Sequence, residues 1–520
     1  MHAPGHVFVV DGDLTMLACD AWLLPTDDRF HVTRTFARAL GRTEDSFLVP
    51  QRPWDDSERV RLHRPADDVR PALWLGRVGG DGAPVSWFVG AVAEFVASAP
   101  PAAKKKAPGR PPLLAVNIIG TGHGGAFRRK GEVLRELFEC VYDAANAFGA
   151  DIVVVAWGAK SYAAAQRARK RALEARGDVA NAFRFPHDHD LLTERALVLA
   201  QAARRGRLAL FFGAGASAGS GLPGWSALLR GADEHLATAG GRAIGADRLA
   251  ALDPRDQATI LARRYETAGL DFEAQVCKAV DQETYALTHA LLASLPVRER
   301  VTTNFDLQHE RAAMTCDRKL AVLPHRPDTN AERWLLKLHG SVDHPKSLVF
   351  TRASYLDASL QRGALFGLVQ GMLLTRHMLF VGYSLKDEDF HELVHEVRNA
   401  GSHDPTEKRL GTAVALFDDP LARDLWTDDL DIVALRPETK TAPDKAAIDA
   451  AGRDCERFLD LVGYHAAEMT GFVLDDTYAD MLTDDERELR ELLRPLVKPV
   501  REKTGAGWQA LRALLTKLGA

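Results

Sequence analysis

The sequence predicts an α/β protein built on parallel sheets, and three observations support this. Short apolar strands that end in glycine or polar residues recur over residues 200–440. Strand-like and helical stretches alternate over residues 1–190, whereas residues 441–520 read as helical. Alternation of this kind is typical of helices packed on a mostly parallel sheet. We therefore expect a three-layer α/β domain at 1–190, an α/β domain with a parallel sheet at 200–440 and a helical C-terminal region at 441–520.

The composition is that of an ordinary globular protein. The 520 residues suffice for two or three domains, and 46% are hydrophobic and 26% charged. A net charge of −5 gives no reason to expect nucleic-acid binding. The N-terminus lacks a basic region followed by an apolar core, and no stretch of 18 apolar residues occurs. We expect a cytoplasmic protein without a membrane partner.

Residues 1–190 show five strand-like segments separated by helical stretches such as 131–148. The segments are VFVV at 7–10, AWLLP at 21–25, SWFVG at 86–90, LLAVNIIG at 113–120 and DIVVVAW at 151–157. A glycine loop, GTGHGG at 120–125, directly follows one of them. The proline-rich, basic stretch 99–112 is expected to be a mobile surface loop.

Residues 208–225, LALFFGAGASAGSGLPGW, run from an apolar strand straight into a loop of small residues. Its glycines allow the backbone to approach a ligand, and exposed N–H groups before a helix attract phosphate oxygens. This pattern predicts a nucleotide cradle, with the helix beginning near Ser226. The glycine spacing alone is weak, and a flexible glycine-rich connection is the alternative.

Three further apolar strands also break off into polar residues. They read RVTTNFD at 300–306, WLLKLHGS at 334–341 and MLFVGYSLKD at 378–387. In open α/β sheets the ligand crevice lies outside the carboxyl ends of the strands. The residues expected to meet there are Ser217, Asn304, Asp306, His339, Gly382, Tyr383 and Ser384. Taken singly, His339 could merely close a strand and Asn304 could form a turn or a helix cap.

The motifs GAGAS, SGLPGW, TNFD, LHGS and GYSLKD, in this order, resemble the sirtuin-like NAD-binding family. The resemblance implies a Rossmann-like fold that holds NAD extended and breaks the bond between nicotinamide and ribose. It places Asn304 and Asp306 beside the nicotinamide ribose, makes His339 the base, and gives Ser217 and Gly382 the adenosine half. The catalytic set is Asn304, His339 and Asp306. The expected NAD-binding set is Gly213, Ala214, Gly215, Ala216, Ser217, Gly221, Pro223, Trp225, Thr303, Gly382, Tyr383, Ser384 and Asp387.

These residue types suit that chemistry. Loss of neutral nicotinamide leaves an oxocarbenium-like ribose, so the site needs a base, a water or hydroxyl, and dipoles facing positive charge. Histidine has an unperturbed pKa of about 6.5, which suits a base. The asparagine amide carries both a donor and an acceptor, so it could hold a ribose hydroxyl and a water.

The cysteines distinguish between branches of the family. They are scattered without a C-x-x-C pair, so we expect neither a zinc ribbon nor zinc. Only 34 residues separate Asn304 from His339. The chain therefore resembles the bacterial branch that hydrolyses NAD, often in anti-phage defence. The expected products are nicotinamide and ADP-ribose or a cyclised form. Alternatives are ADP-ribosyl or acyl transfer to protein, and a non-catalytic receptor for NAD or ADP-ribose.

GDLT at 12–15, the following DAWLLP and the glycine loop resemble a macro domain, a module that binds ADP-ribose. The resemblance is partial, because Pro25-Thr26-Asp27-Asp28 stands where an asparagine-rich turn is expected. We expect this domain to bind ADP-ribose or a nucleotide signal, or else to serve as a scaffold for oligomerisation.

Two metal-like motifs are interpreted as chance matches, and one helix face is left without a partner. The motifs are HELVH at 391–395 and HDHD at 187–190. Over 483–503 a capping-box pattern precedes leucines on one face, with two prolines expected to kink or divide the helix. The leucine face is expected to pack on the sirtuin-like domain or a second subunit. We expect a homo-oligomer, with a phage-derived molecule or a partner protein as candidate trigger.

Overall fold

A computed structural model describes residues 4–48, 52–67, 70–78, 83–102, 107–122, 125–314, 319–400 and 410–520. The chain folds into two compact units. The first unit takes its residues from 1–184, 444–453 and 463–520, and the second from 185–443 and 454–462. The domain boundaries predicted at 190, 200 and 440 stay predictions. Residues 103–106 of the basic loop, residues 123–124 of GTGHGG, and Cys316 lie outside the described residues.

The first unit contains a mainly parallel sheet. Its strands are β1 (Val7–Asp11), β2 (Ala21–Thr26), β3 (His31–Val32), β4 (Ser46–Phe47), β5 (Val60–Arg64), β6 (Ala72–Arg77), β7 (Leu113–Asn117) and β8 (Asp151–Ala156). Among the described residues six of them form a sheet in the order β1-β8-β7-β2-β6-β5. All its pairs are parallel except β5 with β6. The predicted α/β class with parallel strands is confirmed.

Helices connect these strands, and one of them corrects a sequence prediction. The helices are α1 (Arg34–Ala37), α2 (Val85–Ala102), α3 (Lys130–Phe148), α4 (Gly158–Arg176) and α5 (Val179–Ala182), with short 3₁₀ turns at Leu14–Met16 and Arg38–Leu40. Residues 99–102 of the stretch predicted as a surface loop lie in α2, and Ala99 is buried there. The segment 86–90, predicted as a strand, also lies in α2. Its buried residues Phe88, Ala91, Val92 and Phe95 recur at helical spacing, which five residues alone could not reveal.

The chain ends in helices, as predicted for 441–520. They are α17 (Lys445–Ala466), α18 (Asp484–Glu502) and α19 (Ala506–Lys517), with a 3₁₀ turn at Asp476–Met481. The Thr483 and Glu486 capping box is present, and α18 continues through Pro495 and Pro499 without dividing. Leu492 on the predicted apolar face is 67% exposed. Its partner stays a prediction.

The second unit is built on a parallel sheet. Its strands are β9 (Leu208–Phe212), β10 (Glu299–Thr302), β11 (Leu320–Leu323), β12 (Arg333–Lys337), β13 (His377–Val381), β14 (Gly411–Ala415) and β15 (Leu430–Ala434). Within the described ranges these seven strands take the order β11-β12-β10-β9-β13-β14-β15, with every pair parallel. The central strand of this sheet is β9, which is also its first strand in the sequence. β10 pairs with one side of β9, and β13, which comes later in the sequence, pairs with the other side. Ligands of such sheets bind where the strand order reverses, which here is between β9 and β13.

Helices and 3₁₀ turns link the strands of this sheet. The helices are α6 (His189–Arg204), α7 (Trp225–Thr238), α8 (Ala246–Ala250), α9 (Pro254–Thr267), α10 (Phe272–Val280), α11 (Leu287–Ser294), α12 (Gln308–Met314), α13 (Arg352–Gln361), α14 (Gly363–Thr375), α15 (Glu388–Ala400) and α16 (Pro420–Leu425), with 3₁₀ turns at Ala214–Ser220 and Pro345–Ser347. All five residues of β9 are buried, and its Phe211 packs with Phe380 of β13 and Phe390 of α15. This core fixes the strand ends that carry the predicted site.

Among the described residues, none of the helices is long and apolar enough to cross a membrane.

Candidate active site

The glycine loop after β9 lies against the loop after β13, backbone to backbone. Gly215 N–H donates to the Gly382 carbonyl at 3.0 Å, and Gly213 N–H donates to Val381 at 3.1 Å. A Cβ on Gly215 would lie 2.8 Å from Gly382 Cα, and one on Gly382 would lie 2.4 Å from Ala216 N. Gly382 also has φ +62°, in the left-handed region that glycine enters without strain. Only glycines permit this contact, so the two loops form one cradle.

Asn304 lies at the carboxyl end of β10, where the neighbouring strand fixes its backbone. Thr302 Oγ1 donates to the Phe212 carbonyl at 2.9 Å and accepts from Asn304 N–H at 3.0 Å. Asn304 Nδ2 donates to the Gly213 carbonyl and to Ser217 Oγ, each at 3.1 Å. Asn304 Oδ1 is shielded from solvent and has no hydrogen-bond partner among the residues that the structure describes. Because Nδ2 uses both of its protons in this way, the amide presents only an acceptor.

Ser217 joins three polar side chains, and its partners determine the direction of each hydrogen bond. Its hydroxyl lies 2.8 Å from Asp306 Oδ2, 3.1 Å from Asn304 Nδ2 and 2.9 Å from His289 Nε2. An ionised carboxylate only accepts, so Ser217 donates its one proton to Asp306. It must then accept from both nitrogens, which puts the His289 proton on Nε2. Asp306 Oδ1 accepts from Gln308 N–H at 3.0 Å, which fixes the carboxylate.

His289, on α11, contacts the Ser217 hydroxyl and lies beside a second histidine, His309. It is fully buried, and burial lowers its pKa to about 4, so it is neutral at physiological pH. Its ring centroid lies 5.8 Å from that of His309, whose pKa burial also lowers. Both ring nitrogens of His309 lack a hydrogen-bond partner. His289 therefore differs from its neighbour in donating to the Ser217 hydroxyl.

His339 follows β12 and lies close to Asp387 of the β13 loop. Its Nε2 is 3.7 Å from Asp387 Oδ2, and its ring centroid is 5.2 Å from that of Tyr355. Burial lowers the pKa of His339, while the nearby Asp387 carboxylate opposes that shift. A neutral imidazole near physiological pH can accept a proton. The expected base thus has the right protonation state.

The remaining predicted site residues differ in exposure. Ala214, Gly215, Gly221, Gly382 and Ser384 are exposed, and Gly213 and Ala216 are buried. Thr303, Pro223, Trp225, Tyr383 and Asp387 are half-buried. The Tyr383 ring packs 4.6 Å from Phe211, which supports the loop from the core. The predicted residues thus form two separate groups of contacts. Ser217, Asn304 and Asp306 lie together with the glycine cradle, and His339 lies beside Asp387.

Sequence reasoning missed three buried residues around these groups, namely His289, Glu310 and Lys337. Lys337 Nζ donates to the Asp306 carbonyl at 2.6 Å and to Glu310 Oε1 at 2.8 Å. A lone lysine in the apolar strand WLLKL and a lone histidine in the helical stretch LTHALL were the available signals. Charged and polar side chains inside apolar segments need partners when buried.

The metal-like motifs take part in ordinary packing. The His391 ring lies 4.7 Å from that of Trp426, and His187 Nε2 lies 3.1 Å from Asp188. Over the described ranges no cluster of three or more His, Cys, Asp or Glu side chains could hold a metal ion. A cavity of about 680 Å³ opens between α14 and α15, lined by residues such as Phe366 and Leu393. It contains none of the predicted site residues.

A parallel sheet with a glycine cradle and an acceptor amide at the point where the strand order reverses is a Rossmann-like arrangement, in which the ligand crevice lies at that point. The family model of the SIR2-like domain matches residues 298–434, which include Asn304, His339 and Gly382. This match confirms the predicted resemblance to the sirtuin-like family. The macro-like resemblance of the first unit stays a prediction.

The chain is also similar to proteins named NAD(+) hydrolase ThsA. It is 26% identical to that of Enterococcus faecium over 211 residues, 38% of this chain and 41% of the relative. It is 27% identical to that of Bacillus cereus (strain MSX-D12) over 207 residues, with the same coverage. That of Acinetobacter baumannii (strain 532279) is 23% identical over 224 residues, 41% of this chain and 43% of the relative. The chain therefore spans about two fifths of the curated relatives that it matches.

Proposed function

We propose that this chain is an NAD glycohydrolase that cleaves the bond between nicotinamide and ribose. The observation that carries the proposal is Asn304, whose Nδ2 is fully used while its buried Oδ1 has no hydrogen-bond partner. Leaving a buried acceptor unsatisfied costs about 1–3 kcal/mol, and a ribose hydroxyl or a water would remove that cost. The similarity to proteins named NAD(+) hydrolase supports the choice of NAD as substrate.

The residues divide the work of the proposed reaction. As nicotinamide leaves with the electrons of the glycosidic bond, positive charge develops on the ribose. Asn304 Oδ1 and the Asp306 carboxylate present negative potential to that charge. Water attacks the anomeric carbon and its proton passes to a base, the role we assign to His339. NAD and water give nicotinamide, ADP-ribose and one proton. The glycine cradle, with Ser217 beside it, would hold the rest of the dinucleotide, because glycines let a ligand approach the backbone closely.

The wider setting is also part of this proposal. The sirtuin-like resemblance supports a regulated effector that depletes NAD during anti-phage defence in the cytoplasm. Regulation is needed because uncontrolled loss of NAD would kill the host cell. The first unit would bind ADP-ribose or another nucleotide signal, and the chain would act as a homo-oligomer. A cyclised ADP-ribose would arise if a hydroxyl of the substrate replaced water as nucleophile.

The test is incubation of the purified chain with NAD, followed by chromatography with mass detection. Wild-type protein should give nicotinamide and ADP-ribose or its cyclic form, and Asn304→Ala and His339→Ala should give neither. Each variant must keep the wild-type melting temperature, so that loss of product reports on chemistry. The assay is repeated in lysate from phage-infected cells to supply a trigger. A folded wild-type protein that binds NAD but gives no product under either condition would contradict the proposal.

A further inference from the structure

Lys337, the last residue of β12, is a fully buried lysine with all its donors used. Its side chain is 0% exposed, and Nζ lies 2.8 Å from Glu310 Oε1, 2.6 Å from the Asp306 carbonyl and 3.2 Å from the Phe305 carbonyl. An ammonium carries three protons, so each proton has one acceptor. Two of the three acceptors belong to the backbone of the turn that follows Asn304.

This contact joins the two strand ends that carry the proposed chemistry. β10 and β12 pair in parallel with Thr302 opposite Lys337, and Leu338 N–H donates to the Thr302 carbonyl at 3.0 Å. Beyond that bond the ladder ends, and the β10 chain turns through Asn304 to Asp306. The Phe305 carbonyl also accepts from Val342 N–H at 3.0 Å. Lys337 holds the next carbonyl, that of Asp306.

Stability alone gives little reason for a charge at this position. Moving two charges out of water costs several kcal/mol per ion, and well-packed apolar residues of similar volume often serve as well or better. Glu310, 3% exposed, compensates the charge of Lys337. An apolar pair could fill the same space, but it could not donate to two backbone carbonyls. The lysine is therefore suited to fixing geometry.

We propose that Lys337 is a positioning residue that holds the Asn304–Asp306 turn in register with His339, which follows two residues later, just beyond the end of β12. The proposal rests on the proposed hydrolase function for its kinetic consequence. Lys337 acts through the backbone of Phe305 and Asp306 and does not touch the substrate. Glu310 serves to neutralise it. Displacement of a catalytic group by about 1 Å can cost about 10²-fold in rate.

The experiment compares a double variant with a matched single variant in the full chain. Lys337→Met/Glu310→Leu removes both charges and both carbonyl bonds. Glu310→Gln removes only the carboxylate, because the lysine, charged or neutral, keeps at least two protons for the two carbonyls. We expect the double variant to lose about 10- to 100-fold in kcat with KM for NAD changed less than about threefold. Glu310→Gln should stay within about threefold of wild type in both constants.

A second measurement does not depend on turnover. Amide hydrogen exchange of the segment 304–308, followed by mass spectrometry, should be faster in the double variant than in Glu310→Gln, at equal melting temperature. If the wild-type protein hydrolyses NAD and the double variant has the same kcat, the positioning role is overturned. Equal losses of kcat in the double variant and in Glu310→Gln would also overturn it. If wild-type protein never hydrolyses NAD, the proposed function fails by itself. Faster exchange in the double variant would then still support the positioning role, and equal exchange would overturn it.

Discussion

Two asparagines, one in each unit, end parallel strands in similar ways and differ in what surrounds them. Asn117 ends β7 of the first unit, and Asn304 follows β10 of the second. In both, Oδ1 is shielded from solvent and lacks a hydrogen-bond partner. Asn304 Nδ2 donates hydrogen bonds to the Gly213 carbonyl and to Ser217 Oγ. Ser217 Oγ in turn donates to Asp306 Oδ2. Asn117 is followed by two isoleucines and a glycine turn.

The comparison shows that an unsatisfied acceptor alone does not define a reactive site. At the edge of the first sheet, two carboxylates accept hydrogen bonds from residues other than Asn117. Asp13 Oδ1 accepts from the backbone and hydroxyl of Thr15, and Asp11 Oδ1 accepts from Gly158 N–H. At the edge of the second sheet, Ser217 directs the Asp306 carboxylate and the Asn304 amide to one place. The proposed chemistry would depend on this fixed group rather than on the asparagine by itself.

The largest contrast is expected between alanine variants of the two asparagines. Asn304→Ala should lower kcat for NAD hydrolysis by about 10³-fold, the scale of one lost transition-state hydrogen-bonding group. Asn117→Ala should leave kcat unchanged, since it lies in the unit to which no catalytic role is assigned. Steady-state release of nicotinamide measures both. Equal losses in the two variants would break the comparison.

The second-largest contrast in kcat is expected between variants that remove a hydroxyl at the edge of each sheet. Ser217→Ala removes the acceptor of two buried donors, on Asn304 and His289, so the amide keeps only its hydrogen bond to the Gly213 carbonyl. We expect about a 10- to 100-fold loss of kcat. Thr121→Ala removes a hydroxyl that donates to Ile118 in its own loop of the first unit, and turnover should not change. A Ser217→Ala variant as active as Thr121→Ala would show that the hydroxyl does not orient the amide.

The glycines of the two edges give a third contrast. A Cβ on Gly215 would lie 2.8 Å from Gly382 Cα, and backbone cannot yield as a flexible side chain does. Gly215→Ala should weaken NAD binding by about tenfold, because separated loops no longer form the cradle. A Cβ on Gly122 of the first unit meets nothing within 4 Å, so Gly122→Ala is the control. Calorimetric titration with NAD measures both, and unchanged affinity in Gly215→Ala would contradict the cradle.

The smallest effect concerns pH. Burial lowers the pKa of His339, so the neutral base persists below the ordinary value of about 6.5. The acid limb of kcat/KM, which reports the free enzyme, should therefore lie below pH 6.5. Asp387 opposes the shift, and Asp387→Asn should move that limb to still lower pH. A pH profile of kcat/KM for the two proteins checks this, and a limb that moves to higher pH in Asp387→Asn would exclude His339 as the titrating base.

The sequence was most informative where the signal was local. Each of the four strands of the second unit that carry the site is a short apolar run with a polar ending, and parallel pairing then brings the endings to one edge. The segment 86–90 was predicted wrongly because its short apolar run, residues 87–89, fits a buried helix as well as a strand. His289 was missed since its partner Ser217 is 72 residues away, and Lys337 since the Asp306 carbonyl is 31 residues away. Those contacts exist only once the sheet has formed.

The attachment of the Asn304 amide also has a consequence for molecular selectivity. Because both Nδ2 protons are engaged, the side chain cannot rotate to offer a donor. It would therefore favour a ligand group that donates a hydrogen bond over one that only accepts. An O–H group placed at Oδ1 would donate a hydrogen bond to it. A carbonyl or ether oxygen at the same place would be repelled, because both atoms present lone pairs. A ribose that lacks the hydroxyl at that point should thus forfeit about 1–3 kcal/mol, because the buried acceptor stays unsatisfied.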